Sequence, residues 1–393
     1  MPSRSSAAQP RRAAHRLAVV CTPGLEAWCR AEMEALGLKP KPAGPGTFEG
    51  DATTRQTYAC NLWLRTASRV VMRVATFRAT DFGRLQAAVA ALDWSPWLAE
   101  GTAPRFRISS NDSKLYHTDA IAQRLHKVVG PASEGEPEQM FVVRIERNTV
   151  TISADTSGAA LHHRPWRTAL SAAPLRTTMA AAALAAAGWR GETSLLDPFC
   201  GAGTIPIEAA LLALGLPPGG RRPFAFHAWP SFEAGTWASV VAGIPAEPGP
   251  LPDGVTITGT DRDPAMVRAA AANAERAGVA DHVTFAEGVV SQLKARPGPG
   301  LVLTNPPFGR RLGDQRLDGL YRRLGAVANQ RLAGWDLALV SPERRLAHLA
   351  DGRLAPLARF RHGGLPVELL HRAAPGEAEP ANPARPESET LST

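Results

Sequence analysis

The spacing of apolar and polar residues changes its grammar once along the chain. Apolar side chains alternate over 17–21 and then recur at helical spacing at Leu25, Trp28, Cys29 and Leu36, up to Gly37. This predicts a strand, a turn at Pro23-Gly24 and a helix. Alternation over 68–77, 105–109, 140–147 and 150–154 predicts four more strands, and the pattern over 118–129 predicts a second helix. Short strands interleaved with two helices point to a small split α+β sheet. After Arg167, strand and helix take turns: a helix over 174–187, a strand at 194–196, a helix over 204–214, a strand at 255–258, a helix over 264–277, and strands at 282–285 and 301–303. That order predicts a parallel, doubly wound α/β sheet, whose ligands sit at the carboxyl ends of its strands. The boundary between the halves is expected near 161–168.

Composition narrows the class. With 393 residues, 44% hydrophobic and 20% charged, the chain has material for two or three globular domains. Lys plus Arg less Asp plus Glu is 44 − 36 = +8, and only five of the 44 cations are Lys. A surface built from Arg favours nucleic acid as partner, because guanidinium forks onto phosphate and stacks on bases. The four cysteines, Cys21, Cys29, Cys60 and Cys200, form no Cys-x-x-Cys pair. This argues against a zinc ribbon and a disulfide framework and for a reducing compartment. With no secretory h-region and no long apolar run, a soluble cytoplasmic protein without a membrane partner is expected. Residues 1–16 read as a flexible basic arm and 373–393 as a disordered tail.

Three constellations carry chemistry. Asp197-Pro-Phe199-Cys-Gly201-Ala202-Gly203-Thr204 lies between a predicted strand and helix. Its glycines let a ligand approach the backbone, and the helix offers free N–H groups. Asp261 ends the next strand, where a carboxylate can accept both hydroxyls of a ribose, while Asp263 before Pro264 reads as a helix N-cap. The third is Thr304-Asn305-Pro306-Pro307-Phe308, 305 − 197 = 108 positions after Asp197. Two prolines withhold N–H donors, so the Asn305 amide oxygen and the Pro306 carbonyl can both accept hydrogens from an exocyclic amine, with Phe308 as a stacking surface for its ring.

The pairing of the first and third constellations resembles the class I S-adenosylmethionine-dependent amino-methyltransferases. Pro23-Gly-Leu-Glu26, Ser113-Lys-Leu-Tyr-His-Thr118, Asp155-Thr-Ser-Gly158, Leu161-His-His-Arg164 and Arg167 further resemble the THUMP-containing RNA guanine-N2 methyltransferases, over about residues 17–372. The segment Arg222-Pro-Phe-Ala-Phe-His-Ala-Trp-Pro230 is similar to the bacterial enzymes that modify 23S ribosomal RNA. The resemblance implies a Rossmann-like methyltransferase sheet preceded by an α+β ferredoxin-like and THUMP RNA-binding half. It divides the chain into a ferredoxin-like part (17–75), a THUMP part (76–160), a linker with a lead-in helix (161–190) and a methyltransferase domain (191–372). The implied cofactor is S-adenosylmethionine, near Pro174, Asp197, Phe199, Gly201, Ala202, Gly203, Thr204, Asp261, Arg262, Glu287 and Gly288. The family places Gly-Asp after the third strand of the sheet to hold the adenine amine; this chain reads Glu287-Gly288-Val289, so either a backbone carbonyl or Glu287 substitutes, or the adenine is held less tightly.

For RNA contact the candidates are Arg107, Lys114, His117, Arg164, Arg167, Arg310 and Arg311, interleaved with Tyr116 and Trp166. His162 and His163 lack a third ligand at metal spacing, and no metal is expected. The expected reaction is methyl transfer to guanine N2, in rRNA or alternatively tRNA. The rival readings are a DNA adenine or protein glutamine methyltransferase, and an RNA-binding assembly factor without activity.

Overall fold

The computed structural model describes residues 14–375 apart from 133, 134, 136, 169–174, 221, 295, 297 and 309–313. Most of the arm 1–16 and of the tail 373–393 lies outside the described residues, but Arg16 is within the first strand and pairs with Glu49 and Asp51.

The first half runs β1 (His15–Cys21), α1 (Glu26–Ala35), β2 (Lys41–Pro42), β3 (Thr47–Ala52), α2 (Thr54–Trp63), β4 (Ala67–Arg78), α3 (Phe82–Ala90), β5 (Ala103–Asn111), α4 (Thr118–Val129), β6 (Glu138–Glu146) and β7 (Thr149–Asp155). In place of a small split sheet, all seven strands join in one, in the order β2-β3-β1-β4-β7-β6-β5. The long strand β4 carries it across position 75, pairing with β1 on one side and β7 on the other. Helix α2 is started by a reciprocal cap: Thr53 Oγ1 accepts from Gln56 N, and the Gln56 amide oxygen accepts from Thr53 N.

The second half runs α5 (Thr177–Ala186), β8 (Ser194–Asp197), α6 (Thr204–Ala213), α7 (Ala234–Val241), β9 (Ile257–Asp261), α8 (Pro264–Ala277), β10 (Thr284–Glu287), β11 (Gly300–Thr304), α9 (Asp314–Arg331), β12 (Trp335–Ser341), α10 (Arg344–Ala350), β13 (Ala355–His362) and β14 (Leu365–Arg372). Its sheet has the order β10-β9-β8-β11-β12-β14-β13, parallel except for β14, which runs antiparallel to both its neighbours. Helices α5, α6 and α8 bury apolar side chains on one face and α9 and α10 on the other. The strand order reverses between β8 and β11, and a crevice opens at such a point. Helix α5 is small-sided and almost wholly buried. It touches both α1 and α6, so it belongs to the core of this half.

The halves are bolted together. Gly24, at φ +93, sits so near β13 that a Cβ there would lie 1.7 Å from the Arg359 carbonyl oxygen. The neighbouring Glu26 carboxylate accepts from Gly24 N and Gly46 N. Phe224, Phe226 and Trp229, from the second half, are buried in the core of the first, with Phe226 stacked on Tyr58 at 4.3 Å. Trp229 Nε1 donates to Gln139 Oε1 at 2.7 Å. Burying each aromatic contributes about 2 kcal/mol.

Candidate active site

The carboxyl ends of β8, β9 and β11 frame a cavity of about 930 Å³. One wall is the bend after β8. Phe199 N donates to Asp197 Oδ1 at 3.1 Å, and Gly201, at φ +51, turns its N–H onto Asp261 Oδ2 at 2.9 Å. The other Asp261 oxygen accepts from Asp263 N at 3.0 Å, and Asp263 Oδ1 caps α8 by accepting from Ala265 N at 2.8 Å. Each carboxylate oxygen has more than one acceptor site, so Asp261 keeps capacity toward the cavity it lines.

The opposite wall is the double-proline loop after β11: Asn305, Pro306, Pro307 and Phe308 all line the same space. The two walls are tied directly, because Thr304 Oγ1 donates to Asp197 Oδ1 at 2.6 Å. Asp197 is 2% exposed. Burial pushes its carboxyl up to about 7, against the pull of the Thr304 and Phe199 hydrogen bonds. Asn305 Oδ1 is buried without a hydrogen-bond partner among the described residues. A buried acceptor left open costs about 1–3 kcal/mol, so the loop is built to receive a donor. Phe308 presents its ring beside His362, with centroids 6.5 Å apart.

Of the expected cofactor residues, Asp197, Phe199, Gly201, Thr204, Asp261, Arg262 and Gly288 line the cavity. Pro174 lies outside the described residues; its neighbour Leu175 lines the wall. Three of the expected residues are not among those that line it. Ala202 is buried behind the bend, where its carbonyl accepts from Asn273 Nδ2 at 2.9 Å. Gly203, at φ +82, is glycine for packing: a Cβ there would meet Phe285 at 2.9 Å and Ala270 at 3.0 Å. Glu287 is exposed and not in the cavity wall, which is completed instead by Val289, Val290 and Ser291. Met266 on α8 and Arg316, Gly319, Leu320 and Arg323 on α9 also line it, none of them anticipated from the sequence. The signal for the α9 set is present as spacing at i, i+3, i+4 and i+7.

The RNA candidates separate into three groups. Arg107, Lys114 and His117 are exposed at β5 and the loop after it, with Tyr116 65% exposed beside His117. That loop is pinned by Lys114 N donating to Asn148 Oδ1 at 2.8 Å. Arg164 and Arg167 are corrected. Arg164 is 3% exposed and donates to Glu208 Oε1 at 2.9 Å, to the Leu161 carbonyl and to the Arg65 carbonyl. Arg167 is half-buried and donates to the Leu175 carbonyl at 2.8 Å, and Trp166 is buried. Arg164 neutralises Glu208, ties buried groups between the halves and has no surface to offer RNA, whereas Arg167 keeps only part of its surface and is held to its own segment. Arg310 and Arg311 lie outside the described residues. The His162 and His163 rings lie 4.3 Å apart, and no cluster of metal ligands occurs among the described residues.

Comparison with known proteins places this site. The model of the RMKL-like methyltransferase domain, UPF0020, matches residues 164–368, and that of the RlmL ferredoxin-like domain matches 16–71. The chain is 32% identical over 373 residues to the ribosomal RNA large subunit methyltransferase K/L of Marinomonas sp. strain MWYL1, covering 89% of this chain and 52% of that protein. It thus spans about half the length of the large-subunit relatives it matches. It is 30% identical over 364 residues to a candidate RNA methyltransferase of Synechocystis sp. strain PCC 6803, covering 88% of this chain and 94% of the other. The crystal structure of SMU.472, a candidate methyltransferase complexed with SAH, superimposes with a TM-score of 0.82 at 27% identity, over 93% of this chain and 99% of that one. With more than half of the chain matched by its model, the chain belongs to the RMKL-like methyltransferase domain family.

Proposed function

We propose that the chain transfers a methyl group from S-adenosylmethionine to the exocyclic N2 amine of a guanine in large-subunit ribosomal RNA. The observation that carries the reading is that Asn305, whose buried Oδ1 has no hydrogen-bond partner among the described residues, lines the same cavity as the Asp197–Gly201 bend. The rRNA substrate is supported by the large-subunit relatives, and guanine N2 by the resemblance of the N-terminal motifs.

The cavity fits the cofactor. Its volume of about 930 Å³ takes a nucleoside-sized ligand, and the carboxylates of Asp197, Asp261 and Asp263 line it. Asp261 would accept the ribose hydroxyls. Met266, Val289 and Val290 give the purine an apolar wall, and the Ser291 hydroxyl is the side-chain acceptor that the segment after β10 supplies. When bound, S-adenosylmethionine supplies an electrophilic methyl on a sulfonium.

The chain's own part is orientation and exclusion of water. Asn305 Oδ1 and the Pro306 carbonyl accept the two amine hydrogens, which turns the nitrogen lone pair across the cavity. Phe308 stacks the base once it is extruded. The methylated nitrogen loses its extra proton to solvent afterwards, so no strongly basic side chain is required. Holding the two walls at fixed separation is the work of Thr304 and Asp197.

The test is incubation of the full chain with methyl-labelled S-adenosylmethionine and unmodified 23S rRNA, followed by nucleoside mass spectrometry. Label in N2-methylguanosine is expected. Label in another nucleoside, or none with rRNA, contradicts the proposal.

A further inference from the structure

Three acids outnumber the one cation, Arg262, at the strand end of the cavity. Asp197, Asp261 and Asp263 stand at the ends of β8 and β9, whereas Arg316 and Arg323 line it from α9. These two arginines lie on one helix face with Gly319 and Leu320 between them, and the opposite face, Leu317, Tyr321 and Leu324, is packed in the core. Other cations of the same helix are spoken for. Arg322 pairs with Asp318, which also binds Arg345, and Arg331 donates to the Ser291 and Leu293 carbonyls. Among the described residues neither Arg316 nor Arg323 forms an ion pair or hydrogen bond, and both are exposed. Gly319 leaves open space between them: a Cβ there would meet nothing within 4 Å.

We propose that Arg316 and Arg323 grip the phosphates on either side of the extruded nucleotide, making the exposed face of α9 the track for the substrate strand. This rests on the methyl-transfer reading and adds to it the residues that hold the RNA at the cavity. Seven residues of helix advance about 10 Å, and the long side chains at its two ends can converge on the two phosphates that flank one displaced nucleotide. Guanidinium suits this role because it binds phosphate through two parallel N–H bonds. The gap at Gly319 lets the backbone of the strand approach the helix between them. The acids across the cavity repel phosphate and keep the strand to the α9 side.

The experiment measures binding of a fluorescein-labelled rRNA fragment and, separately, of SAH to the full chain and to R316Q, R323Q, R316Q/R323Q and R322Q. The double variant is expected to bind the RNA at least about tenfold more weakly at low salt. Its log–log salt slope should fall by about 1.4, from about 0.7 for each single-strand phosphate that is no longer neutralised. SAH affinity should stay within about twofold, and R322Q, which removes the same charge from a position of the helix outside the cavity wall, should bind RNA as the parent does. Unchanged RNA affinity and slope in the double variant would overturn the inference. So would an equal loss in R322Q, which would mean bulk charge alone, or a parallel loss of SAH affinity, which would assign the arginines to the cofactor carboxylate. A parent chain that binds no SAH would instead refute the methyl-transfer reading, with the RNA measurement still legible by itself.

Discussion

Replacing Asp197 by Asn changes how stability depends on pH, and by an amount the structure sets. Burial raises the Asp197 carboxyl from its ordinary 3.8 to about 7. The folded protein therefore holds that proton more tightly than the unfolded chain does. Its stabilising contribution is complete below about pH 4 and is lost as pH climbs through about 7. A rise of about three pK units corresponds to about 4 kcal/mol of unfolding free energy. The side-chain amide of D197N would keep an oxygen for Thr304 Oγ1 and Phe199 N but would not titrate. Urea unfolding followed by Trp fluorescence, at steps from about pH 4.5 to about pH 8, should show D197N gaining on the parent by several kcal/mol as pH rises, then levelling off. Other buried acids, Glu32 and Asp155, titrate in the same direction but are common to both proteins, so the difference isolates one carboxyl. Saturating S-adenosylmethionine, a cationic ligand, favours ionised Asp197 and should shrink the gap. Parallel curves over the whole range would refute the reasoning.

Two substitutions probe the joint between the halves. G24A places a methyl against the Arg359 carbonyl in a left-handed conformation and should cost about 2–4 kcal/mol in urea unfolding, whereas G319A, in open space, should cost nothing measurable. R164M leaves Glu208 buried beside Arg65 alone, at 4.0 Å, and should cost about 3–5 kcal/mol, part of it recovered in R164M/E208M because the Glu208 charge is then gone and Arg65 keeps its bonds to the Leu211 and Leu216 carbonyls.

Both walls of the cavity were legible because each is local: a motif of a few residues that lies between a strand and a helix shows its place in a parallel sheet by position alone. The place of Asp261 at the end of its strand and the capping role of Asp263 followed the same way. Long-range facts were not legible. An arginine reads alike whether it meets solvent or, as Arg164 does, a glutamate 44 positions away. Gly203 looks like a ligand-side glycine until Phe285 and Ala270 are seen against it. Helix α2 escaped the hydrophobic pattern because polar Thr57 and Asn61 are buried in it, Asn61 bonding Thr156 and Ser157 across 95 and 96 positions. Nothing in the segment 224–229 itself says that its aromatics fill the core of the other half. In α9 the apolar spacing of Leu317, Leu320, Tyr321 and Leu324 is plain, but its many arginines dilute it.

The account stands on Asn305 as the acceptor that orients the amine opposite the bound methyl donor. The direct test is N305A, assayed for SAH affinity by calorimetry and for single-turnover methyl transfer to 23S rRNA. SAH should bind within about threefold of the parent while transfer falls by about 100-fold or more, the signature of an interaction made to the reacting group. Transfer at the parental rate, with SAH bound normally, would contradict it.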